Sequence, residues 1–211
     1  IAASPGFDIA SLWTATTGLS ETNSAVFFMD PGTMGANSGS DPIVMAQMTL
    51  SAADFASGTA TAQLQGNAVD SSQEDWQYSA TWTWSSSGPP PPPPPPPAPP
   101  PSDGAESVTV VSTDGVAGMT TVRLAYTLDA GQANVYAMAG TSDTTMSFPP
   151  AYQVAAPFGA DIGGVPAAFI AAAPETEFDS WLTIGITDGS DSGSIAASPG
   201  FDIASLWTAT T

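Results

Sequence analysis

A run of proline between Gly88 and Gly104 constrains the fold of this chain more than any other stretch. Twelve of the thirteen residues from Pro89 to Pro101 are proline. Proline fixes φ and has no amide hydrogen, so the run can form neither a helix nor the interior of a sheet. Its composition predicts a polyproline II rod that, at about 3.1 Å per residue, is ~40 Å long. As a linker, 89–101, it separates two portions, 1–88 and 102–211.

Both portions carry the alternation that is typical of strands. Aromatic residues alternate with Gln, Ser and Thr in Trp76–Trp84, and Thr120–Leu128 alternates in the same way. A period of two predicts half-buried strands, and no segment has a convincing helical period. The sequence therefore predicts the all-β class. Each globular unit, called a bead here, is expected to be a β-sandwich of the Ig-like or jelly-roll-like kind. Further strands are predicted at Ser24–Asp30, Ile43–Leu50, Thr59–Gly66 and Phe178–Ile186, and a hairpin is predicted from Thr120–Leu128 to Ala133–Ala139.

The seventeen-residue string IAASPGFDIASLWTATT occurs twice, as a first copy at Ile1–Thr17 and a second at Ile195–Thr211. The offset, 195 − 1 = 194 residues, predicts a tandem array of beads joined by rods and polymerised into a fibril. Portion 1–88 then completes the preceding bead, and portion 102–211 begins the next. An alternative stays open, in which separate subunits polymerise by adding one copy to a neighbour as a strand.

The string has strand-like content over Asp8–Thr16, with Leu12 and Trp13 as its anchors. Both accounts give a linear or helical polymer of copies of the chain. Trp13 and Trp207 are expected to have the same environment in adjacent beads, and a difference between them would favour the strand-exchange account. The predicted assembly residues are Ile1, Phe7, Leu12, Trp13, Ile195, Phe201, Leu206 and Trp207.

The charge balance narrows the choice of partners. Twenty acidic residues against one basic residue, Arg123, give a formal net charge of −19. Nucleic acid and anionic lipid surfaces repel such a chain. There is no apolar run of eighteen residues, so no membrane insertion is predicted. The expected partners are further copies of the chain and glycans.

The residue inventory argues against catalysis. His, Lys and Cys are all absent, so a nucleophile has no ordinary base and no disulfide or thiolate metal site can form. Glu175, Glu177 and Asp179 would share one strand face, where a solvated edge is a simpler interpretation than a glycosidase pair. We therefore predict a protein that is not an enzyme, without catalytic residues or cofactors. Asp188 and Asp191 are candidate Ca²⁺ ligands on a flexible loop, and a polar turn is the alternative.

A row of tryptophans leaves a second function open. Trp76, Trp82 and Trp84 could stack on sugar rings, as in a carbohydrate-binding or adhesive module on a stiff proline stalk. Alternating aromatic residues in a strand are more often the buried face of a sheet, and that interpretation is favoured here. No Asn-x-Ser/Thr sequon occurs, which excludes N-glycosylation and leaves O-glycosylation.

The segment Ser85–Asp103 resembles the Ser-Pro linkers of hydroxyproline-rich extracellular glycoproteins of green algae, among them cell-wall and flagellar-hair (mastigoneme) proteins. That resemblance implies hydroxylated prolines that carry covalent O-glycans, and secretion to a cell surface, cell wall or flagellar hair. The implied glycosylation sites are Pro89, Pro90, Pro91, Pro92, Pro93, Pro94, Pro95, Pro96, Pro97, Pro99, Pro100, Pro101, Ser85, Ser86, Ser87 and Ser102.

A second resemblance concerns the beads. Glu175–Gly189, Pro42–Leu50 and the SLWTAT of the string resemble a tandemly repeated domain of uncharacterised secreted algal and microbial proteins, which implies no particular chemistry. Together these features predict a non-catalytic structural subunit of an extracellular, O-glycosylated filament, a glycofibril.

Overall fold

The alternation along the chain produces strands at most of the predicted positions. Of the residues described in the computed structural model, 46% lie in strands and 12% in helices. The strands form two antiparallel sheets, which confirms the predicted all-β class. The predicted proline rod, 89–101, lies outside the described residues. The structure describes residues 9–29, 41–86, 105–155, 157–190 and 194–199.

The bounds of the elements are as follows. In chain order the described strands are β1 Leu19–Glu21, β2 Ser24–Phe28, β3 Ile43–Ser51, β4 Ser57–Gly66, β5 Trp76–Ser85, β6 Ala105–Ser112, β7 Met119–Thr127, β8 Ala137–Gly140, β9 Met146–Phe148, β10 Trp181–Leu182 and β11 Ile195–Pro199. The described helices are α1 Ile9–Leu12, α2 Ala52–Ala56, α3 Ala167–Ala172 and a 3-10 helix at Pro174–Phe178. None of these helices has the length and apolar character needed to cross a lipid bilayer.

Strands from the two sides of the proline rod interleave in both sheets. The larger sheet has seven strands in the order β1-β9-β4-β8-β2-β11, with β5 paired to β4. The smaller sheet has the order β10-β3-β7-β6. Strand β2 therefore lies between β8 and β11, which both follow the proline run in the sequence. In the smaller sheet β3 lies between β10 and β7, which also follow it. Each sheet is built from both portions of the chain.

Strand β5 shows why the alternating segments fold as predicted. Its aromatic positions point toward the interior, and the Gln, Ser and Thr positions between them are exposed. Strands β3, β4 and β7 likewise begin and end within two residues of their predicted limits. A period of two places one face of each strand in the core, so the apolar face alone determines where these strands form.

The two sheets contact each other through aromatic side chains. Trp82 of β5 is completely buried, and its Nε1 donates a 2.8 Å hydrogen bond to the carbonyl oxygen of Ala125 in β7. Trp76 stacks on Tyr126 with ring centroids 5.9 Å apart. One hydrophobic cluster includes buried residues of both sheets. The indole thus satisfies its only donor while burying a large apolar surface.

The predicted hairpin from β7 to 133–139 is wrong. Gln132 ends the turn after β7 by accepting hydrogen bonds from the Tyr126 hydroxyl and the Asp129 amide. The chain then crosses to the larger sheet, where β8 pairs with β2 on one side and β4 on the other. All four residues of β8 are buried. A segment that is apolar on both faces suits a central strand better than a hairpin arm.

Two further predicted strands differ from the structure. The segment Phe178–Ile186 is a strand only at Trp181–Leu182, because the buried carboxylate of Asp179 binds backbone amides ahead of it. The string segment Asp8–Thr16 contains the helix α1 rather than a strand, with Trp13 N donating to Ile9 O at 2.7 Å. One helical turn places Ile9 and Trp13 on the same buried side.

Candidate functional site

The first copy of the string enters the core through Trp13. This side chain is completely buried, and its Nε1 donates a 2.6 Å hydrogen bond to the carbonyl oxygen of Pro149. Its ring lies 5.5 Å from that of Phe148, and Ala151 N donates to Thr14 O at 3.0 Å. The segment that follows β9 therefore encloses the Trp13 side chain, whereas Ala15, Thr16 and Thr17 after it are exposed.

The second copy enters the same structure at a different place. Its first five residues form β11, which pairs antiparallel with β2, with Ile195 opposite Phe28 and Pro199 opposite Ser24. Ile195 and Ala197 are buried in the shared core. Strand β11 is the last strand on this side of the larger sheet. We call β2 together with Phe148–Ala151 the string site, since these residues hold both copies.

A buried polar atom lies where β11 ends. Ser24 is completely buried, and within the described residues its Oγ has no hydrogen-bond partner. The residue opposite it, Pro199, has no amide hydrogen to offer. A buried hydroxyl without a partner is uncommon in native proteins and calls for an explanation.

The predicted assembly residues divide into three groups. Trp13 and Ile195 are buried at the string site, whereas Leu12 is 40% exposed and does not anchor the string. The equivalence of Trp13 and Trp207 stays a prediction, because Trp207 is among the residues that lie outside the described ranges. Those residues are Ile1, Phe7, Phe201, Leu206 and Trp207.

The described residues show where the chain enters and leaves the proline rod. Ser85, the last residue of β5, and Ser86 after it are exposed, and Ser86 N donates to Ala56 O at 3.0 Å. The other implied glycosylation residues, Ser87, Ser102 and the prolines from Pro89 to Pro101, lie outside the described ranges. Their modification stays a prediction.

The strands that flank the proline run in the sequence, β5 and β6, contact each other. Glu106 of β6 accepts hydrogen bonds from the Thr81 amide and the Tyr78 hydroxyl of β5, both at 3.0 Å. Taking ~3.3 Å per strand residue and a side-chain reach of about 5 Å, Ser85 and Ala105 are at most ~26 Å apart. The predicted rod of about 40 Å would be longer than this gap.

The tryptophan row is not an open platform for sugars. Trp82 is completely buried, and Trp84 is 9% exposed, with its Nε1 donating to Asp54 O at 3.0 Å. Gly58 on the paired strand leaves room for the Trp84 ring, since an added Cβ would overlap it. Trp76 is half-buried and donates to Asn67 O. The inward, core-filling interpretation of the row is the one that the geometry bears out.

The acidic residues near β10 do not share a strand face. Glu175 and Glu177 are exposed on the 3-10 helix, whereas Asp179 is completely buried. The Asp179 carboxylate accepts hydrogen bonds from the amides of Val154, Ala160 and Ser180 at 2.6–3.0 Å. Burial raises the pKa of Asp179 to about 7, and these amide bonds only partly oppose that rise. A carboxyl group without solvent access organises its loop and does not meet a substrate.

Arg123 was singled out by the sequence only as the sole basic residue, and the structure gives it a defined role. Its Nε donates to Gln47 Oε1 at 3.0 Å, and its guanidinium lies 5.7 Å from the centre of the Trp181 ring. Gln47 in turn donates to the carbonyl oxygens of Glu177 and Asp179. Burial lowers the pKa of Arg123, and the charge of Glu177 opposes that shift. No sequence pattern indicates this arrangement, because Gln47, Arg123 and the segment 177–181 are distant from one another in the chain.

The candidate Ca²⁺ loop is only partly described. Asp188 is exposed, and its Oδ1 accepts hydrogen bonds from Ser190 N at 3.0 Å and Ser190 Oγ at 2.5 Å. These bonds lower the pKa of Asp188. Asp191 lies outside the described residues. Within the part of the chain that the structure describes, no three acidic residues are grouped so that they could hold a metal ion.

We compared the chain with known proteins. No family model, no curated protein and no solved structure matches the chain.

Proposed function

We propose that this chain is a non-catalytic structural subunit of an extracellular, O-glycosylated filament. One observation carries the proposal: both copies of the repeated string are core material. Ile9 and Trp13 of the first copy and Ile195 and Ala197 of the second are buried in one hydrophobic cluster. A repeat that fills the core is part of the architecture, and a structural repeat is what a polymer of identical beads needs.

Each bead is, in this proposal, a β-sandwich formed by the two sheets. The Trp82–Ala125 hydrogen bond and the shared core between the sheets support a face-to-face arrangement. In this proposal the proline run joins successive beads of a tandem array, so that each bead takes β6–β11 from one copy of the repeat and β1–β5 from the next.

The surface chemistry supports an extracellular, sugar-coated polymer. Ser85 and Ser86 stand exposed at the start of the rod, and the resemblance to hydroxyproline-rich glycoproteins suggests O-glycans there and on the prolines. A net charge of −19 keeps such a polymer hydrated and apart from nucleic acid. The proposed partners are other copies of the chain and covalent glycans.

The alternative of a carbohydrate-binding module has less support. It depends on an exposed tryptophan row, and Trp82 and Trp84 are buried. The buried carboxyl group of Asp179 likewise offers nothing to a hydrolase, which needs two carboxylates facing an open cleft. The structural role is the one that the geometry favours.

Electron microscopy and denaturing electrophoresis of the secreted protein test this function together. We expect filaments of regularly spaced beads whose mass exceeds that of the polypeptide and falls on chemical deglycosylation. A discrete subunit of 21.2 kDa that carries no sugar and never assembles would contradict the proposal.

A further inference from the structure

We propose that the string site is an exchangeable docking site, and that its partner is the second copy of the string from another molecule of this chain. The inference rests on the proposed structural function and deepens it, because it names the surface and the segment through which copies associate.

The first step is that the site holds two different parts of one string. Strand β11 supplies the first five positions, Ile195–Pro199, and the other copy supplies the last nine, Ile9–Thr17. Both copies have the same sequence. The site therefore contacts both ends of one string sequence, the first five positions through β2 and the positions of Trp13 and Thr14 through Pro149 and Ala151, whichever molecule the string comes from.

The second step is the direction of β11. Its register with β2 runs from Phe28 to Ser24, so the chain that leaves Pro199 heads toward β1. Leu19 of β1 lies opposite Phe148, whose ring packs against Trp13. Three residues separate the two bound parts within one string, and they span up to about 15 Å when extended. A continuous string laid along β2 thus points at the pocket that holds the tryptophan.

The third step is the buried hydroxyl of Ser24. It lies opposite Pro199, at the point where the string would continue past β2 toward the pocket. Its Oγ has no partner among the described residues. The backbone of a continuous string offers N–H and C=O groups at that place, which would satisfy the hydroxyl.

The fourth step is the identity of the two copies. Because the second copy of one molecule has the sequence of both bound parts, it can take their place in another molecule, which can in turn donate its own second copy to the next. Exchange keeps the contacts that β11 and Trp13 already make and adds only a partner for the Ser24 hydroxyl, which makes it a low-cost route to association. Donor and acceptor surfaces differ, so the assembly runs head to tail and forms an open polymer.

Engineered disulfides test the exchange directly, since the full chain contains no cysteine. Ala151 N donates to Thr14 O at 3.0 Å, and residues paired by such a backbone bond have Cα atoms about 5.5 Å apart, within the range of about 4.4–6.8 Å that a disulfide can bridge. The control variant T14C/A151C should form a disulfide within one chain. The test variant is T208C/A151C, because Thr208 occupies the position of Thr14 in the second copy. Single variants T208C and A151C measure random coupling.

On non-reducing gels we expect T208C/A151C to give a ladder at multiples of 21.2 kDa that is absent from both single variants. A disulfide confined to monomers, or none at all while T14C/A151C closes, would overturn the inference. Electron microscopy of the same samples separates the two proposals. Filaments without the ladder would support the structural function and contradict the exchange. A ladder without filaments would support the exchange and contradict the structural function.

Discussion

Trp13 Nε1 donates a 2.6 Å hydrogen bond to the carbonyl oxygen of Pro149, a residue 136 positions further along the chain. This contact joins the repeated string to the segment after β9, across the proline rod. The indole is completely buried, so the bond and the packing together tie the first portion of the chain to the second. Substitution of Trp13 therefore tests whether the string anchors the fold.

Removal of the Trp13 side chain should destabilise the fold strongly. W13A leaves a large cavity and an unpaired carbonyl oxygen at Pro149, and we expect a loss of about 3–5 kcal/mol in the free energy of unfolding. Urea denaturation of dilute protein measures it. The matched control is L12A at the neighbouring exposed position, which should cost well under ~1 kcal/mol. Equal losses in the two variants would show that Trp13 is no anchor.

The contact between the sheets can be tested at Trp82. W82F keeps a ring but removes the Nε1 donor, so the carbonyl oxygen of Ala125 loses its hydrogen bond. We expect a cost of ~1–3 kcal/mol from the unsatisfied group and the smaller ring, measured by urea unfolding. T83A, on the exposed face of the same strand, is the control. A W82F variant as stable as T83A would mean that the indole bond contributes nothing between the sheets.

Asp179 predicts a pH dependence of stability. Its pKa is about 7 in the folded protein against an ordinary value of 3.8, so between these values the folded state binds more protons than the unfolded state. The contribution of Asp179 to stability is therefore greatest below pH 4 and falls as the pH rises to 7.

The variant D179N isolates this contribution, because it cannot ionise. The stability difference between wild type and D179N should change between about pH 4 and 7 in favour of the variant, and stay constant above that range. Urea midpoints over the pH range measure the difference. D188N, at an exposed carboxylate, should not reproduce the change. A pH-independent difference for D179N would contradict the raised pKa.

Arg123 should not be replaceable by lysine. R123K keeps the charge but loses the planar donor that binds Gln47 Oε1 while lying over Trp181, so we expect R123K and R123M to lose a similar ~1–2 kcal/mol. Chemical denaturation followed by tryptophan fluorescence measures both. Full stability of R123K would show that charge alone matters at this position.

The Ser24 hydroxyl should matter only in the assembled protein. In dilute monomer, S24A removes a buried hydroxyl without a described partner, and we expect a change between neutral and about 1 kcal/mol of stabilisation. If string exchange supplies a partner, the same variant should assemble more weakly, as light scattering against concentration would show. S24A that weakens the monomer as well would indicate a partner within the single chain.

The local sequence pattern by itself determined several structural features of this protein. The alternation in Trp76–Trp84 predicted both the strand β5 and its buried face, because a period of two leaves only one choice of face. The proline run excludes an α-helix and the interior of a sheet whatever surrounds it.

The partners of each element were decided by the tertiary structure alone. Alternation says which face of a strand is buried but not which strand lies beside it, so β8 joined the larger sheet instead of pairing with β7. One helical turn at Ile9–Leu12 is too short to show a period, and only the pocket at Pro149 makes it favourable. The burial of Asp179 and the position of Arg123 depend on contacts between residues far apart in the chain, which local sequence does not encode.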